Sequence, residues 1–145
     1  MTAPHLPVPA PERTPETSTF WDATGEGRLL LACCDECGTV IWYPKAYCPE
    51  CGGLSVSWNE ASGAGAIYSF SVVYRGPGQF RDAVPFVIAY VELAEGPRVL
   101  TNVVGCEPDQ VYIGQPVRVV FCDTGEGGAL YRFEPSEAPT SGGGA

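Results

Sequence analysis

Two closely spaced cysteine pairs constrain this chain more than any other feature. Two residues separate Cys34 from Cys37 and Cys48 from Cys51, ten residues lie between the pairs, and a glycine follows each pair. Two intervening residues let both sulfurs of a pair reach one ion from a tight turn, and glycine suits the left-handed backbone of such a turn. The pattern predicts a zinc ribbon whose metal ligands are these four cysteines.

The predicted metal has a structural role. Four thiolates fill a tetrahedron and leave no position for water or substrate. The single histidine, His5, lies far from the cysteine pairs in the sequence. We therefore expect a structural Zn²⁺, with iron in a rubredoxin-like site and redox-active dithiols as the alternatives.

Three further cysteines lie outside this pattern. Cys33 directly precedes Cys34, so five thiols are available to a site for four. Only Cys34 preserves the two-residue spacing, and we expect Cys33 to pack on the opposite face of the strand, with competition for the metal as the alternative. Cys106 and Cys122 lie in apolar segments and are expected to be buried and inert.

The composition indicates an acidic globular chain in a reducing compartment. Apolar residues make up 45% of the sequence, and the formal charge of −9 falls to −11 if four thiolates and one Zn²⁺ add a further −2. This charge repels phosphate backbones, so we expect no nucleic-acid partner. The absence of a long apolar run and of a secretory signal, together with an odd number of cysteines, predicts a cytoplasmic protein with no membrane contact.

Periodicity predicts an all-β chain with one short N-terminal helix, for which Ser18 or Thr19 is the expected cap. From Trp58 onward, short strands with period-two alternation are separated by turns, and the residues from Pro108 to Val111 suit one helical turn. Five strands with such a turn between the third and fourth favour a closed OB-fold barrel, with an SH3-like barrel as the alternative. The predicted parts are a flexible leader (1–16), the helix and a lead-in strand (17–31), the zinc ribbon (32–56), the barrel (57–135) and a disordered tail (136–145).

The order of motifs adds a family resemblance that covers about residues 16 to 134. The motifs are Phe20-Trp21, Gly27-Arg28-Leu29, the cysteine pairs around Trp42-Tyr43-Pro44, the run from Gly65 to Phe70, the run from Pro85 to Leu93, and the run from Val117 to Phe121. Their succession resembles the family of rubredoxin-like zinc ribbon plus OB-fold proteins known as domain of unknown function number thirty-five. Cys33 is a departure, because many members carry arginine or another polar residue there.

The resemblance implies a non-catalytic accessory subunit. Members of this family bind thiolases, thiolase-like enzymes of the sterol-carrier-protein-x type, or MaoC-type enoyl-CoA hydratases. We therefore expect a thiolase or retro-aldolase partner, an acyl-CoA ligand bound through the complex, and a role in steroid or fatty acyl side-chain degradation. A hydratase partner is the alternative within the family, although no hydratase domain accompanies this sequence. A nucleic-acid-binding ribbon and barrel is the alternative outside it.

Two sets of residues are candidates for these contacts. Aromatic residues and a proline near the ribbon form the expected partner interface, although they could instead cover the metal site and the barrel end; they are Phe20, Trp21, Trp42, Tyr43 and Pro44. Cationic side chains are candidates for binding coenzyme A or lining the substrate channel. Arg75 and Arg81 flank a Gly-Pro-Gly loop, and Lys45 lies in the ribbon, with solvated surface charge as the alternative.

Overall fold

The computed structural model describes residues 6–137, so the first part of the predicted leader (1–5) and most of the predicted tail (138–145) lie outside the described residues. Two 3₁₀ turns, Gly78–Ala83 and Pro108–Gln110, accompany one helix and eight strands. In chain order these are α1 (Ser18–Thr24), β1 (Leu30–Cys34), β2 (Val40–Ile41), β3 (Val56–Glu60), β4 (Ala64–Val73), β5 (Phe86–Leu93), β6 (Arg98–Val103), β7 (Pro116–Asp123) and β8 (Ala129–Pro135). Within residues 6–137, no helix has both the length and the apolar character needed to cross a membrane.

The first three strands form an antiparallel sheet in the order β2-β1-β3. Successive side chains of β1 point to opposite sides, as the pleat requires. Leu29 and Leu31 enter the main hydrophobic core, whereas Ala32 and Cys34 enter a smaller core beside the cysteine pairs. This alternation turns Cys34 toward the other cysteines.

The remaining five strands form a closed barrel in the order β4-β5-β6-β8-β7, and β7 pairs back with β4. The β6–β8 pair is parallel, through Val103 and Phe133, and the other four barrel pairs are antiparallel. The turn Pro108–Gln110 lies between the third and fourth barrel strands. This is the arrangement expected of an OB-fold, and it confirms the predicted all-β class with its five-stranded barrel.

Helix α1 closes the junction between ribbon and barrel. Phe20 and Trp21 belong to one hydrophobic core that also contains Leu31 of the ribbon and Phe133 of the barrel. The helix begins one residue earlier than expected, with Thr17 at the N-cap, so Ser18 and Thr19 lie inside it. Because the three parts share one core, we expect them to unfold together.

Candidate functional site

Both cysteine pairs adopt the same backbone turn. Gly38 donates its N–H to the carbonyl oxygen of Cys34 at 3.0 Å, and Gly52 donates to that of Cys48 at 2.8 Å. The two glycines have φ values of +80° and +76°, a region in which other residues are strained. The repeated cysteine-glycine spacing in the sequence is therefore a repeated structure.

The two turns bring four sulfur atoms into one cluster. The Sγ atoms of Cys34, Cys37, Cys48 and Cys51 all lie within 4.8 Å of one another. Two of the sulfur pairs, Cys34–Cys51 and Cys37–Cys48, are separated by 3.6 Å. Four Zn–S bonds of about 2.3 Å in a tetrahedron place the sulfurs roughly 3.8 Å apart, so this spacing fits one ion. The four cysteines are positioned for metal binding.

The electrostatics of the cluster favour a bound cation. A hydrogen bond with Thr39 lowers the pKa of the Cys37 thiol to about 6. The N–H of Gly53 lowers the pKa of Cys51, but the sulfurs of Cys34 and Cys37 outweigh that hydrogen bond and raise it to about 12. Closely spaced thiolates thus oppose one another's ionisation. A bound zinc ion would neutralise this repulsion and hold the two turns together.

The three other cysteines lie outside the cluster. Cys33 is half-buried, with its sulfur 4.0 Å from the Leu31 carbonyl oxygen. Cys106 and Cys122 are also half-buried, which corrects the expectation that both are fully buried. Cys106 follows the end of β6 and Cys122 lies near the end of β7, where the sheet gives less cover.

The structure corrects most of the predicted partner interface. Phe20 and Trp21 are 0% and 5% exposed, and Pro44 is also buried. Trp42 and Tyr43 are half-buried. The Phe20 and Trp42 rings meet edge-on with their centroids 5.5 Å apart, and Trp21 Nε1 donates a hydrogen bond to the Tyr43 hydroxyl at 2.9 Å. These side chains fill the junction that α1 closes. Phe20, Trp21 and Pro44 therefore have almost no free surface for a partner, while Trp42 and Tyr43 stay candidates.

Within residues 6–137, the predicted cations differ from all the other basic residues except Arg132 in forming no ion pair. Four of the eight basic side chains form surface ion pairs: Arg13, Arg28, Arg98 and Arg118. Arg75 and Arg81 are exposed and form no ion pair within residues 6–137. Lys45 is half-buried, with its ammonium 3.5 Å from the Tyr43 carbonyl oxygen. Two arginines on one loop are thus free to meet an anion.

Sequence reasoning missed an apolar patch on the outside of the barrel. We call it the outer patch; it consists of Tyr68, Phe86, Ile88, Tyr90 and Leu100. Three members alternate along β5 with residues buried in the core, and Leu100 pairs with Tyr90 across β5 and β6. Strands with one buried face usually carry polar residues on the other. The signal in the sequence was the nearly unbroken apolar run that includes β5.

Two family models match consecutive parts of the chain. The model of the ChsH2 rubredoxin-like zinc ribbon domain matches residues 21–57, and that of the ChsH2 C-terminal OB-fold domain matches residues 58–122. A DUF35 domain-containing scaffold protein of Methanocaldococcus jannaschii is 38% identical over 117 residues, which cover 75% of this chain and 82% of the relative. The chain belongs to the DUF35 family. The resemblance identified from the sequence is thereby confirmed.

Other relatives of the chain carry different names. The probable enoyl-CoA hydratase alpha subunit of Thermomonospora curvata is 34% identical over 128 residues. The 3-oxo-4,17-pregnadiene-20-carboxyl-CoA hydratase alpha subunit of Mycobacterium tuberculosis is 34% identical over 127 residues. Each match covers 88% of this chain but only 40% of the hydratase subunit. The present chain therefore spans less than half the length of either subunit.

Two solved structures share the DUF35 architecture. A chain of the structure named Ltp2-ChsH2(DUF35) aldolase superposes with a TM-score of 0.79 at 33% identity, covering 87% of this chain and 98% of that chain. A DUF35 protein of unknown function from Sulfolobus solfataricus gives a TM-score of 0.62 at 17% identity, covering 84% of this chain and 86% of that chain. The second likeness concerns the fold alone.

Proposed function

We propose that this chain is a non-catalytic accessory subunit that binds a thiolase-like enzyme and helps to form its acyl-CoA site. The names of two similar proteins support this proposal, because one contains the word scaffold and the other joins a DUF35 chain to an aldolase. The relative named for a pregnadiene carboxyl-CoA supports a role in steroid side-chain degradation. The seven cysteines form no disulfide within residues 6–137, which fits the cytoplasmic location that we propose with it.

The observation that carries the proposal is the outer patch. Tyr90 and Leu100, which pair directly across β5 and β6, are 46% and 47% exposed although both are large apolar or aromatic side chains. Tyr68 is 47% exposed, and the guanidinium group of Arg98 lies 3.8 Å from the centroid of its ring. Contiguous exposed apolar surface on a folded domain marks sites of interaction, and tyrosine is enriched where binding energy concentrates. We assign this patch as the docking surface for an apolar area of the partner enzyme.

The arginine loop lies at one end of the outer patch. The centroid of the Phe80 ring in the loop lies 5.5 Å from that of the Phe86 ring at the start of β5. A Cβ atom added to Gly76 would collide with the Phe80 carbonyl oxygen, so the loop is closed tightly on itself. A partner seated on the patch would therefore also meet Arg75 and Arg81.

These arginines suit the phosphates of coenzyme A, because a guanidinium group binds phosphate oxygens in a bidentate manner. The formal charge of −9 opposes the approach of a polyanion to the free chain. We therefore propose that acyl-CoA binds to the complex, where the partner supplies most of the site. Calorimetry should find tighter acyl-CoA binding to the complex than to the free chain, and replacing Arg75 and Arg81 with alanine should weaken it.

Capture of the partner from the source cells tests the docking surface. The tagged chain should retain a thiolase-like protein, identified by mass spectrometry, and the double variant Tyr90→Asp, Leu100→Asp should weaken this binding by roughly tenfold or more. Leu54→Asp is the matched control, because Leu54 is 81% exposed on the ribbon and away from the patch. Equal capture by the double variant would remove the patch from the proposal, and the absence of a thiolase-like protein from the wild-type sample would remove the function.

A hydratase partner is the second candidate. It is favoured by the 34% identity to two hydratase alpha subunits over 88% of this chain. The same capture experiment separates the two candidates, because an enoyl-CoA hydratase in place of a thiolase-like protein would support the second.

A further inference from the structure

A buried arginine on the last strand plays no part in the function proposed above. Arg132 lies on β8, next to the core residue Phe133, and is only 4% exposed. Its Nη2 atom donates a hydrogen bond to the carbonyl oxygen of Pro7, and its Nε atom is buried without a hydrogen-bond partner. A buried donor without a partner is rare in folded proteins and calls for an explanation.

No carboxylate side chain neutralises Arg132. Glu134 lies two residues away on the same strand, but it accepts a hydrogen bond from Arg118 Nε at 3.0 Å and forms an ion pair with Arg118 Nη2 at 3.0 Å. None of the ion pairs within residues 6–137 includes Arg132. The sequences of residues 1–5 and 138–145 contain no aspartate or glutamate. An opposite charge at Arg132 would therefore have to come from outside the side chains of this chain.

The chemistry of the guanidinium group defines what that charge would be. Arginine stays protonated in proteins, so burial cannot remove its charge as it can for lysine. Burying a charge without an opposite charge is costly, and a planar fork of N–H donors matches the two oxygens of a carboxylate or a phosphate. Arg132 thus has an N–H group without a hydrogen-bond partner and the geometry to bind an oxyanion.

The segment that hydrogen-bonds to Arg132, Leu6–Val8, makes few hydrogen bonds to the rest of the protein; we call it the cover. The segment Leu6–Val8 belongs to no helix or strand, and it has no backbone hydrogen bond to another part of residues 6–137. Leu6 is 6% exposed, and the Pro7 carbonyl oxygen supplies the hydrogen bond to the guanidinium group. Pro7 and Val8 are half-buried, so three apolar residues and one hydrogen bond hold the segment. Because the segment lacks the backbone hydrogen bonds of the strands, its opening costs less than unfolding of the barrel.

We propose that Arg132 is an oxyanion-binding residue covered by the segment Leu6–Val8. When the segment lifts, the guanidinium group exchanges the Pro7 carbonyl oxygen for a carboxylate or phosphate, which bonds to Nε as well as Nη2. The anion could be a carboxylate of a bound protein or a phosphate of a cofactor, and both share this chemistry. Binding is weak while the cover is closed, because only the open fraction of molecules is competent.

The test uses the full chain with acetate, inorganic phosphate and coenzyme A as separate probes. The variant Leu6→Ser weakens the cover, and Leu54→Ser is the control for loss of an exposed leucine elsewhere. NMR of arginine Nε–H groups should show a shift of the Arg132 signal on titration, with about tenfold tighter binding in Leu6→Ser than in wild type. Acetate and phosphate separate the two anion classes, and coenzyme A tests the cofactor as the source.

Two further variants test the role of the guanidinium group. Arg132→Gln in the Leu6→Ser background should abolish binding, and Arg132→Lys should retain only a weak response because lysine lacks the planar fork. If either variant does not fold, the Arg132 signal in Leu6→Ser alone decides the matter. An unchanged Arg132 signal with all three probes would overturn the proposal and leave Arg132 as an anchor for the N-terminal segment.

Discussion

Replacement of Phe20 by alanine should destabilise the ribbon and the barrel together. Phe20 is 0% exposed and contacts four rings edge-on, with centroid distances from 4.8 to 6.0 Å. Truncation of a buried phenylalanine costs about 3–5 kcal/mol through lost burial and the cavity that remains. Edge-on ring contacts stabilise by about 0.5–1.5 kcal/mol each, which places Phe20→Ala toward the upper end, at about 4–5 kcal/mol.

Chemical denaturation of the metal-loaded protein measures this loss. The barrel is followed by circular dichroism and the ribbon by the thiolate absorbance of Co²⁺ bound in place of Zn²⁺. Both signals should change in one transition, because ribbon, helix and barrel share a core. The midpoint of that transition should fall in Phe20→Ala while its slope with denaturant stays the same.

Two matched variants show whether burial is the cause. Phe20→Leu keeps most of the volume and should cost about 1–2 kcal/mol. Tyr74→Ala removes an aromatic ring that is 72% exposed and should change stability by less than about 0.5 kcal/mol. A loss below about 1 kcal/mol in Phe20→Ala, or separate transitions of ribbon and barrel in the wild type, would refute this reasoning.

Three further predictions concern the metal and the helix. Cys34→Ser should lose tight metal binding, whereas Cys33→Ser should retain one Zn²⁺ per chain by elemental analysis; the opposite result would exchange their roles. Removal of the metal by a chelator should lower the denaturation midpoint of the barrel as well as the ribbon, and an unchanged barrel midpoint would contradict the shared core. The Thr24 hydroxyl donates to the Trp21 carbonyl oxygen at 2.6 Å and accepts from the Ala129 N–H at 3.0 Å. Thr24→Val should therefore cost about 1–3 kcal/mol in denaturation, and no loss would show that water replaces these bonds.

The features that were predictable from the sequence are governed by short-range geometry. The spacing of Cys34, Cys37, Cys48 and Cys51 indicates a common site because each pair lies on a single turn. The OB-fold followed from period-two alternation and from the helical turn near Pro108, since both reflect local backbone structure. Family resemblance is the basis of the proposed accessory role, which spacing and periodicity leave open.

The features that were missed depend on contacts between distant parts of the chain. An apolar helix residue such as Phe20 packs either inside its own chain or on a partner, and the sequence is the same in both cases. The apolar run that includes Tyr90 predicted a strand but not that one of its faces points outward. Arg132 looks like a surface residue in an alternating strand, and its hydrogen bond to the distant Pro7 carbonyl oxygen has no signal in the sequence.

Sedimentation velocity with the purified chain and its purified thiolase-like partner tests the central claim most directly. The account predicts one faster-sedimenting complex for the metal-loaded wild type and for Leu54→Asp. For the double variant Tyr90→Asp, Leu100→Asp, it predicts a smaller fraction of that complex at the same concentrations. Separate sedimentation of the wild-type chain and the enzyme at concentrations far above about 1 µM would contradict the claim that this chain is an accessory subunit of that enzyme.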